Sequence, residues 1–308
     1  MSPRNPHSDT LTAAEGDGRY ALRMERRLAH APAKVWAALT RPEQLAHWFP
    51  SEVRVELVPG GAVEFVFPGE GEGPGEPGGS GGTRDASDAG EAEPGMTGVV
   101  TDVDEPRLFA FTWGEDHLRW EIAPDPETGG SLLTLVHTFD DRFGAPSFGA
   151  GWHLCVSALG ARLDGDAPGP ALDTVDKGEL HEAYLEQFDL GGGEITRGRT
   201  VRFERQLVRD AETVWAELTQ GTGVTEGLLA PAGFAADGVP PGPVTEARAP
   251  ALCAYASPAG GSVRWELGAG TGYGARLVLT HTGAADARAA LAAWHARLEL
   301  LAGRLLEG

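Results

Sequence analysis

The chain has 308 residues, with 45 acidic and 25 basic side chains and a formal net charge of −20. This length suits about two domains of ordinary size, and the acidic surplus argues against nucleic acid as a partner because its phosphates would be repelled. Residues 1–18 are polar and lack the apolar centre of a signal peptide, and no apolar run is long enough to cross a bilayer. We therefore expect a cytoplasmic protein without membrane insertion, whose residues 1–18 are disordered. Its two cysteines lie in non-equivalent segments, so a disulfide is not expected.

Strands and short helices alternate at the start of the chain. The segment "YALRMERRL" (20–28) alternates apolar and charged residues, which is typical of a half-buried strand. In "HAPAKVWAALT" (30–40), proline suits the first turn of a helix, and "RPEQLAHWF" (41–49) predicts a second short helix. The runs "EVRVELV" and "AVEFVF" are separated by Pro59-Gly60-Gly61, which indicates a hairpin.

Residues 69–95 interrupt the strands with glycine, proline, serine and acidic residues. Residues 70–93 carry seven acidic side chains and one arginine, so we expect a disordered insertion at the tip of a hairpin. Strand patterns resume in "GVVTDVDEPRLFAFTW", "HLRWEI" and "SLLTLVHTF", and an apolar stripe predicts a long helix over 147–164. A short helix is expected at 179–188.

Four blocks of the first half recur in the same order in the second half. The matched residues are Trp36 and Trp215, Trp120 and Trp265, His137 and His281, and Trp152 and Trp294. We infer two homologous domains, at 19–190 and 194–308. The second is degenerate, because it is shorter, lacks the Trp48-Phe49 pair, and carries a poor strand sequence over 233–258.

The blocks "APAKVWAALTRPEQLAHWF", "GGAVEFVF" and "GWHLCVSALGARLDG" resemble the SRPBCC superfamily, also called START-like or helix-grip, and within it homologues of the activator of the heat-shock protein ninety ATPase. The resemblance implies an α+β fold of two tandem domains. Each would be a curved antiparallel sheet wrapped around a long C-terminal helix, with two short helices after the first strand and a cavity in between. Members of the superfamily bind hydrophobic small molecules, cyclise polyketides or act as protein partners, and the fold alone does not choose among these.

The alternation in "LTLVHTF" places His137 on the same face as its neighbouring leucines. It is either a polar anchor or general base in an apolar pocket, or a structural histidine without a chemical task. The aromatic residues of the predicted strands and of the second short helix either line a cavity or fill it. The predicted ligand-binding residues are Trp48, Phe49, Phe65, Phe67, Phe109, Phe111, Trp113, Trp120, His137, Phe139 and Trp152.

No metal-binding, nucleotide-binding or hydrolase motif is visible, so neither a cofactor nor a metal ion is expected. The first hypothesis is a non-enzymatic protein that binds a small hydrophobic ligand or a protein partner. The second is a polyketide aromatase/cyclase-like enzyme, with His137, His117 and Asp140 as candidate catalytic residues. The third is a co-chaperone of the stress response that stimulates a chaperone ATPase. We favour the first, and a homodimer is compatible with all three.

Overall fold

The computed structural model describes residues 9–14, 18–49, 51–66, 96–165, 175–197, 199–272 and 274–307. These residues form two compact units, one of residues 9–140 and 152–165 and one of residues 141–151 and 175–307. Each unit contains an antiparallel sheet and a long helix, so the chain consists of two tandem helix-grip domains. The predicted insertion at 69–95 and Phe67 lie outside the described residues. Within the described ranges, no helix is long and apolar enough to span a bilayer.

The first unit contains an eight-stranded antiparallel sheet in the order β1-β2-β8-β7-β6-β5-β4-β3. Its strands are β1 (Thr10–Ala13), β2 (Tyr20–Leu28), β3 (Glu52–Val55), β4 (Ala62–Val66), β5 (Met96–Asp104), β6 (Leu108–Trp113), β7 (Asp116–Pro124) and β8 (Ser131–Phe139). Alternate residues of β7, such as Leu118 and Trp120, are buried, whereas their neighbours are half-buried or more exposed. The apolar alternation in the sequence therefore sets the inner face of this sheet.

Three helices accompany this sheet: α1 (Pro32–Thr40), α2 (Pro42–Leu45) and α3 (Ala145–Asp164). Proline at the first position of α1 and α2 suits helix starts, where no backbone N–H is needed. The second helix ends at Leu45 and continues as a turn, so it is shorter than the sequence predicts. In α3, Trp152, Leu159 and Leu163 are buried on one stripe, and this stripe belongs to the first unit.

The first strand corrects one sequence-based expectation. Residues 10–13 were predicted to be part of a disordered segment, but they form β1, which pairs antiparallel with β2. The buried carboxylate of Asp9 accepts two hydrogen bonds from the guanidinium of Arg26, at 2.6 and 2.8 Å. Four residues are too few for a periodic signal, and the strand that orders them is the next one in the sequence, β2. Residues 1–8 and 15–17 lie outside the described residues.

The second unit contains a six-stranded antiparallel sheet in the order β11-β12-β13-β14-β10-β9. Its strands are β9 (Glu194–Thr196), β10 (Thr200–Gln206), β11 (Val244–Arg248), β12 (Leu252–Ala256), β13 (Ser262–Ala269) and β14 (Ala275–Thr282), and its helices are α4 (Lys177–Gln187), α5 (Ala211–Thr219) and α6 (Ala287–Glu307). A single 3₁₀ turn, Ala232–Phe234, follows α5 in place of a second α-helix.

The segment 233–258 forms two strands, β11 and β12, although its sequence is a poor match to a sheet. The strands pair with an irregularity between Val244 and Glu246. Cys253 and Tyr255 are fully buried, and the Tyr255 hydroxyl donates to the carbonyl oxygen of Phe234 at 2.7 Å. Tertiary burial therefore outweighs weak local propensity here.

Helix α4 packs with the second unit, whereas the repeat in the sequence predicts a boundary between residues 190 and 194. Leu180, Tyr184 and Leu185 of α4 are buried. The Arg205 guanidinium, on β10, donates to Glu182 of α4 and to Glu299 of α6. A buried arginine requires such carboxylate partners, and these contacts join α4 to the second sheet.

Candidate functional site

A cluster of aromatic rings covers the inner face of the first sheet. Phe109 and Phe111 of β6 lie beside Phe65 of β4 and Trp120 of β7, with Phe109 directly opposite Trp120 in the strand register. The ring centroids of Phe109 and Phe111 are 4.9 Å apart, and those of Phe65 and Phe111 are 5.8 Å apart. Alternation places these four side chains on one face, and strand pairing brings them together.

The segment after α2 adds Trp48 and Phe49 to this cluster. Trp48 Nε1 donates to the carbonyl oxygen of Ala38 in α1 at 2.9 Å, and the backbone N–H of Phe49 donates to the carbonyl of Leu45 at 2.9 Å. The Phe49 ring contacts four other rings at centroid distances from 5.5 to 6.1 Å; these belong to Trp48, Phe65, Trp113 and Trp152. Phe49 is therefore the ring at which the sheet, α3 and the α2 segment meet.

A small apolar cavity lies between α1, the α2 segment and the sheet, with a volume of about 20 Å³. This is close to the space of a single water molecule, far below the ~300–1,000 Å³ of usual ligand pockets. Its lining residues are Leu39, Leu45, Trp48, Phe49, Val53, Val55, Val63, Phe65, Phe109, Phe111 and Trp120. The rings therefore mostly fill the site, and no acid, base or nucleophile lines this cavity.

The predicted site residues fall into three groups in the structure. Six of them line the cavity: Trp48, Phe49, Phe65, Phe109, Phe111 and Trp120. Trp113 and Trp152 contact Phe49 from outside the cavity lining. The third group is His137 and Phe139, which do not line the cavity. The His137 ring centroid is 6.0 Å from that of Trp152 and 5.0 Å from that of Phe139.

His137 is fully buried, and both of its ring nitrogens are hydrogen-bonded. Trp152 Nε1 donates to Nδ1 at 3.0 Å, and Nε2 lies 2.9 Å from Asp116 Oδ2. Because an indole N–H can only donate, Nδ1 is the acceptor, so Nε2 carries the proton and donates to Asp116. Burial lowers the pKa of His137, against the opposing effect of Asp116. This geometry favours a neutral histidine that orients Trp152 rather than a general base.

The other two candidate catalytic residues also lie away from the cavity. His117 has the opposite parity to Leu118 and Trp120, so it faces the outer side of β7, where its Nε2 lies 2.9 Å from Thr101 Oγ1. Asp140 accepts a hydrogen bond from Arg19 Nε at 2.9 Å. Neither His117 nor Asp140 is among the residues that line the cavity. In the described parts of the chain, no metal-binding group of three or more His, Cys, Asp or Glu side chains is found.

The second unit repeats the pairing of tryptophan with histidine. Trp294 Nε1 donates to His281 Nδ1 at 3.2 Å, and His281 Nε2 lies 2.9 Å from the carbonyl oxygen of Gly260. The carboxylate of the first unit is thus replaced by a backbone carbonyl. Since the same indole–imidazole bond occurs in both units, its role is to fix the long helix against the sheet.

The aromatic core of the second unit is smaller. Phe234, Trp265 and Trp294 are in edge-to-face contact, at centroid distances of 5.7 and 5.8 Å. A cleft of about 230 Å³ lies beside His281, and its other lining residues are Asp237, Gly238, Val239, Ala259, Ala284, Ala285, Asp286, Ala289 and Ala290. This cleft has carboxylates and alanines where the cavity of the first unit has aromatic rings.

The sequence match and the site coincide in the first half of the chain. Residues 29–164 match the family described as Activator of Hsp90 ATPase homolog 1-like protein. The match makes this segment of the chain similar to that family. The matched segment contains every predicted ligand-binding residue, from Trp48 to Trp152. It also contains the whole of α3. Residues 175–307 of the second unit lie beyond the matched segment and are related to it through the internal repeat.

Solved structures similar to this chain include two bacterial proteins. One is a conserved protein of unknown function, EF2215 from Enterococcus faecalis, with 22% identity, 59% of this chain and 91% of that chain covered, and a TM-score of 0.43. The other is CalU16 from Micromonospora echinospora, with 19% identity, coverage of 58% and 94%, and a TM-score of 0.42. No curated protein sequence matches the chain.

Several residues of the site were not predicted from the sequence. The aliphatic part of the cavity lining, Leu39, Leu45, Val53, Val55 and Val63, was not predicted, although each has the parity or helical spacing of its aromatic neighbours. Asp116, the partner of His137, was also missed. Asp116 lies 21 residues before His137, and only the pairing of β7 with β8 brings the two residues together.

Proposed function

We propose that the first unit binds a small, apolar, ring-containing ligand and does not transform it. The observation that carries this proposal is a cavity lined only by apolar side chains and placed inside a cluster of aromatic rings. The void of about 20 Å³ cannot hold such a ligand as it stands. Binding therefore requires one ring of the cluster to be displaced and replaced by a ring of the ligand.

Phe49 is the ring best placed for displacement. It follows α2, a helix of only four residues, and it lies outside both sheet and helix. Its ring touches the void and also Trp113 and Trp152 behind it. If Phe49 moved away, the space of its phenyl ring would be added to the void. A ligand ring in that space could contact the same neighbouring rings as Phe49 does, at centroid distances of about 4.5–7 Å.

Two features favour binding over chemistry. The two ring nitrogens of His137 are bonded to Trp152 and Asp116, and the polar candidates His117 and Asp140 do not converge on the cavity. The aromatase/cyclase-like alternative needs a proton-transfer group within reach of the ligand. The co-chaperone alternative is supported by the family description alone.

The test compares the wild-type protein with Phe49→Ala and Phe49→Trp in titrations with toluene and naphthalene, followed by isothermal calorimetry. We expect saturable binding of one ligand per chain by the wild-type protein, tighter binding by Phe49→Ala, and loss of binding in Phe49→Trp, whose larger ring fills the space. Phe49→Ala should also lower the free energy of unfolding by about 3–5 kcal/mol, which added ligand should partly restore.

Phe234→Ala is the matched control, because it removes a fully buried ring from the second unit. If Phe234→Ala gains as much affinity as Phe49→Ala, the ligand is responding to any cavity, and the proposal fails. The proposal also fails if a folded Phe49→Ala protein shows no saturable binding.

A further inference from the structure

The indole N–H of Trp113 is buried and has no hydrogen-bond acceptor within the described part of the chain. Trp113 is the last residue of β6 and shares the inner face with Phe109 and Phe111. Its ring is stacked on Phe65, with a centroid distance of 5.5 Å and an interplanar angle of 28°. Such an unpaired buried donor is uncommon in proteins and is destabilising.

Two other indoles of the same cluster have acceptors within the protein. Trp48 Nε1 donates to the carbonyl oxygen of Ala38, and Trp152 Nε1 donates to His137. A phenylalanine at position 113 would keep the apolar packing and remove the unpaired donor. The hydrogen bonds of the ligand-free protein therefore give no role to the indole N–H of Trp113.

The second unit has no indole at the position equivalent to Trp113; its own unpaired indole N–H, that of Trp265, lies at the position of Trp120. In the register of the two sheets, Phe109 pairs with Trp120 and Cys253 pairs with Trp265. Four residues further along each strand, Trp113 therefore corresponds to Ser257. The unpaired indole of Trp113 therefore occupies a position that the second unit does not share, in the unit that has the aromatic-lined cavity.

We propose that Trp113 Nε1–H is the polar anchor for the ligand, and that this ligand is an aromatic molecule carrying a hydrogen-bond acceptor such as a carbonyl or ether oxygen. The inference rests on the proposed function, because the Phe49 ring that the ligand would replace lies 6.0 Å from the Trp113 ring. A ligand ring in the place of Phe49 would be next to Trp113. An oxygen attached to that ring would pair with the N–H that is unpaired in the ligand-free protein.

The test uses acetophenone and α-methylstyrene, which have the same connectivity and nearly the same size. In α-methylstyrene a methylene group replaces the carbonyl oxygen. Dissociation constants are measured for the wild-type protein and for Trp113→Phe. We expect the preference for acetophenone to be about tenfold greater in the wild-type protein than in Trp113→Phe, which corresponds to 1.4 kcal/mol. Comparing the two preferences cancels the difference in hydrophobicity between the compounds.

Trp294→Phe is the control, since it removes an indole N–H that already has an acceptor, His281, in the second unit, and it should leave the preference unchanged. In the wild-type protein, the Trp113 indole proton resonance should move downfield with acetophenone and not with α-methylstyrene. This second measurement remains decisive if Trp113→Phe does not fold.

The outcomes separate the two proposals. If both compounds bind and the preference is the same in Trp113→Phe as in the wild-type protein, the anchor is refuted and the apolar binding site stands. If neither compound binds to the wild-type protein or to Phe49→Ala, the proposed function fails and the anchor fails with it.

Discussion

We expect Trp294→Phe to destabilise the second unit more than Trp265→Phe does, because Trp294 makes a hydrogen bond to His281. Trp294 and Trp265 are both fully buried, and their rings are 5.8 Å apart. Trp294 Nε1 donates to His281 at 3.2 Å, whereas Trp265 Nε1 is buried without a hydrogen-bond acceptor among the described residues. Substitution of either residue by phenylalanine removes the same atoms.

The expected effects differ because of the hydrogen bond. Trp294→Phe leaves His281 Nδ1 buried without a donor, which costs about 1–3 kcal/mol in addition to the lost packing. Trp265→Phe loses similar packing but removes a donor that was already unpaired. We therefore expect Trp294→Phe to lower the free energy of unfolding by about 2 kcal/mol more than Trp265→Phe.

Urea denaturation followed by circular dichroism measures this difference. The two units can unfold in separate transitions, but both substitutions lie in the second unit and affect the same transition. Equal destabilisation by the two variants, or greater destabilisation by Trp265→Phe, would refute the reasoning. Trp152→Phe and Trp113→Phe form the corresponding pair in the first unit.

Three further predictions concern acidity, thiol reactivity and backbone packing. Burial lowers the pKa of His137, so this histidine binds a proton at higher pH in the unfolded state than in the folded state. The stability of the first unit should therefore fall as the pH drops below about 6.5, by up to ~1.4 kcal/mol per pH unit. His137→Gln should flatten this profile in pH-dependent urea denaturation, and an unchanged slope would contradict the prediction. Burial raises the pKa of Cys253 to about 12. Iodoacetamide should therefore modify this thiol at least about a hundredfold more slowly in the native protein than in urea, as measured by mass spectrometry of the modified peptide. Equal rates would show that the thiol is accessible. A Cβ on Gly98 would lie 1.8 Å from the carbonyl oxygen of Thr112, so Gly98→Ala should lower the melting temperature of the first unit. A Cβ on Gly268 would have no atom within 4 Å, so Gly268→Ala should leave the melting temperature of the second unit nearly unchanged.

The strands and their inner faces follow from local pattern. Phe65, Phe109, Phe111 and Trp120 were predicted from alternation alone, and all four are buried on one face of the sheet. A period of two residues is a property of the strand itself, so it can be recognised without knowledge of its neighbours. The repeat likewise indicated two homologous domains, because each copy carries the same order of patterns, and the family resemblance supplied the helix-grip fold.

Contacts between distant segments decided the rest. The choice between an anchor or base and a structural histidine at position 137 depended on Trp152 and Asp116, which reach it from α3 and from the neighbouring strand. The strand at 10–13 formed because β2 offers it an edge, and the aromatic site proved to hold a void of only about 20 Å³. Sequence periodicity determines which side chains face inward, whereas the space left between them and the partners of their polar atoms are set by how closely the elements pack.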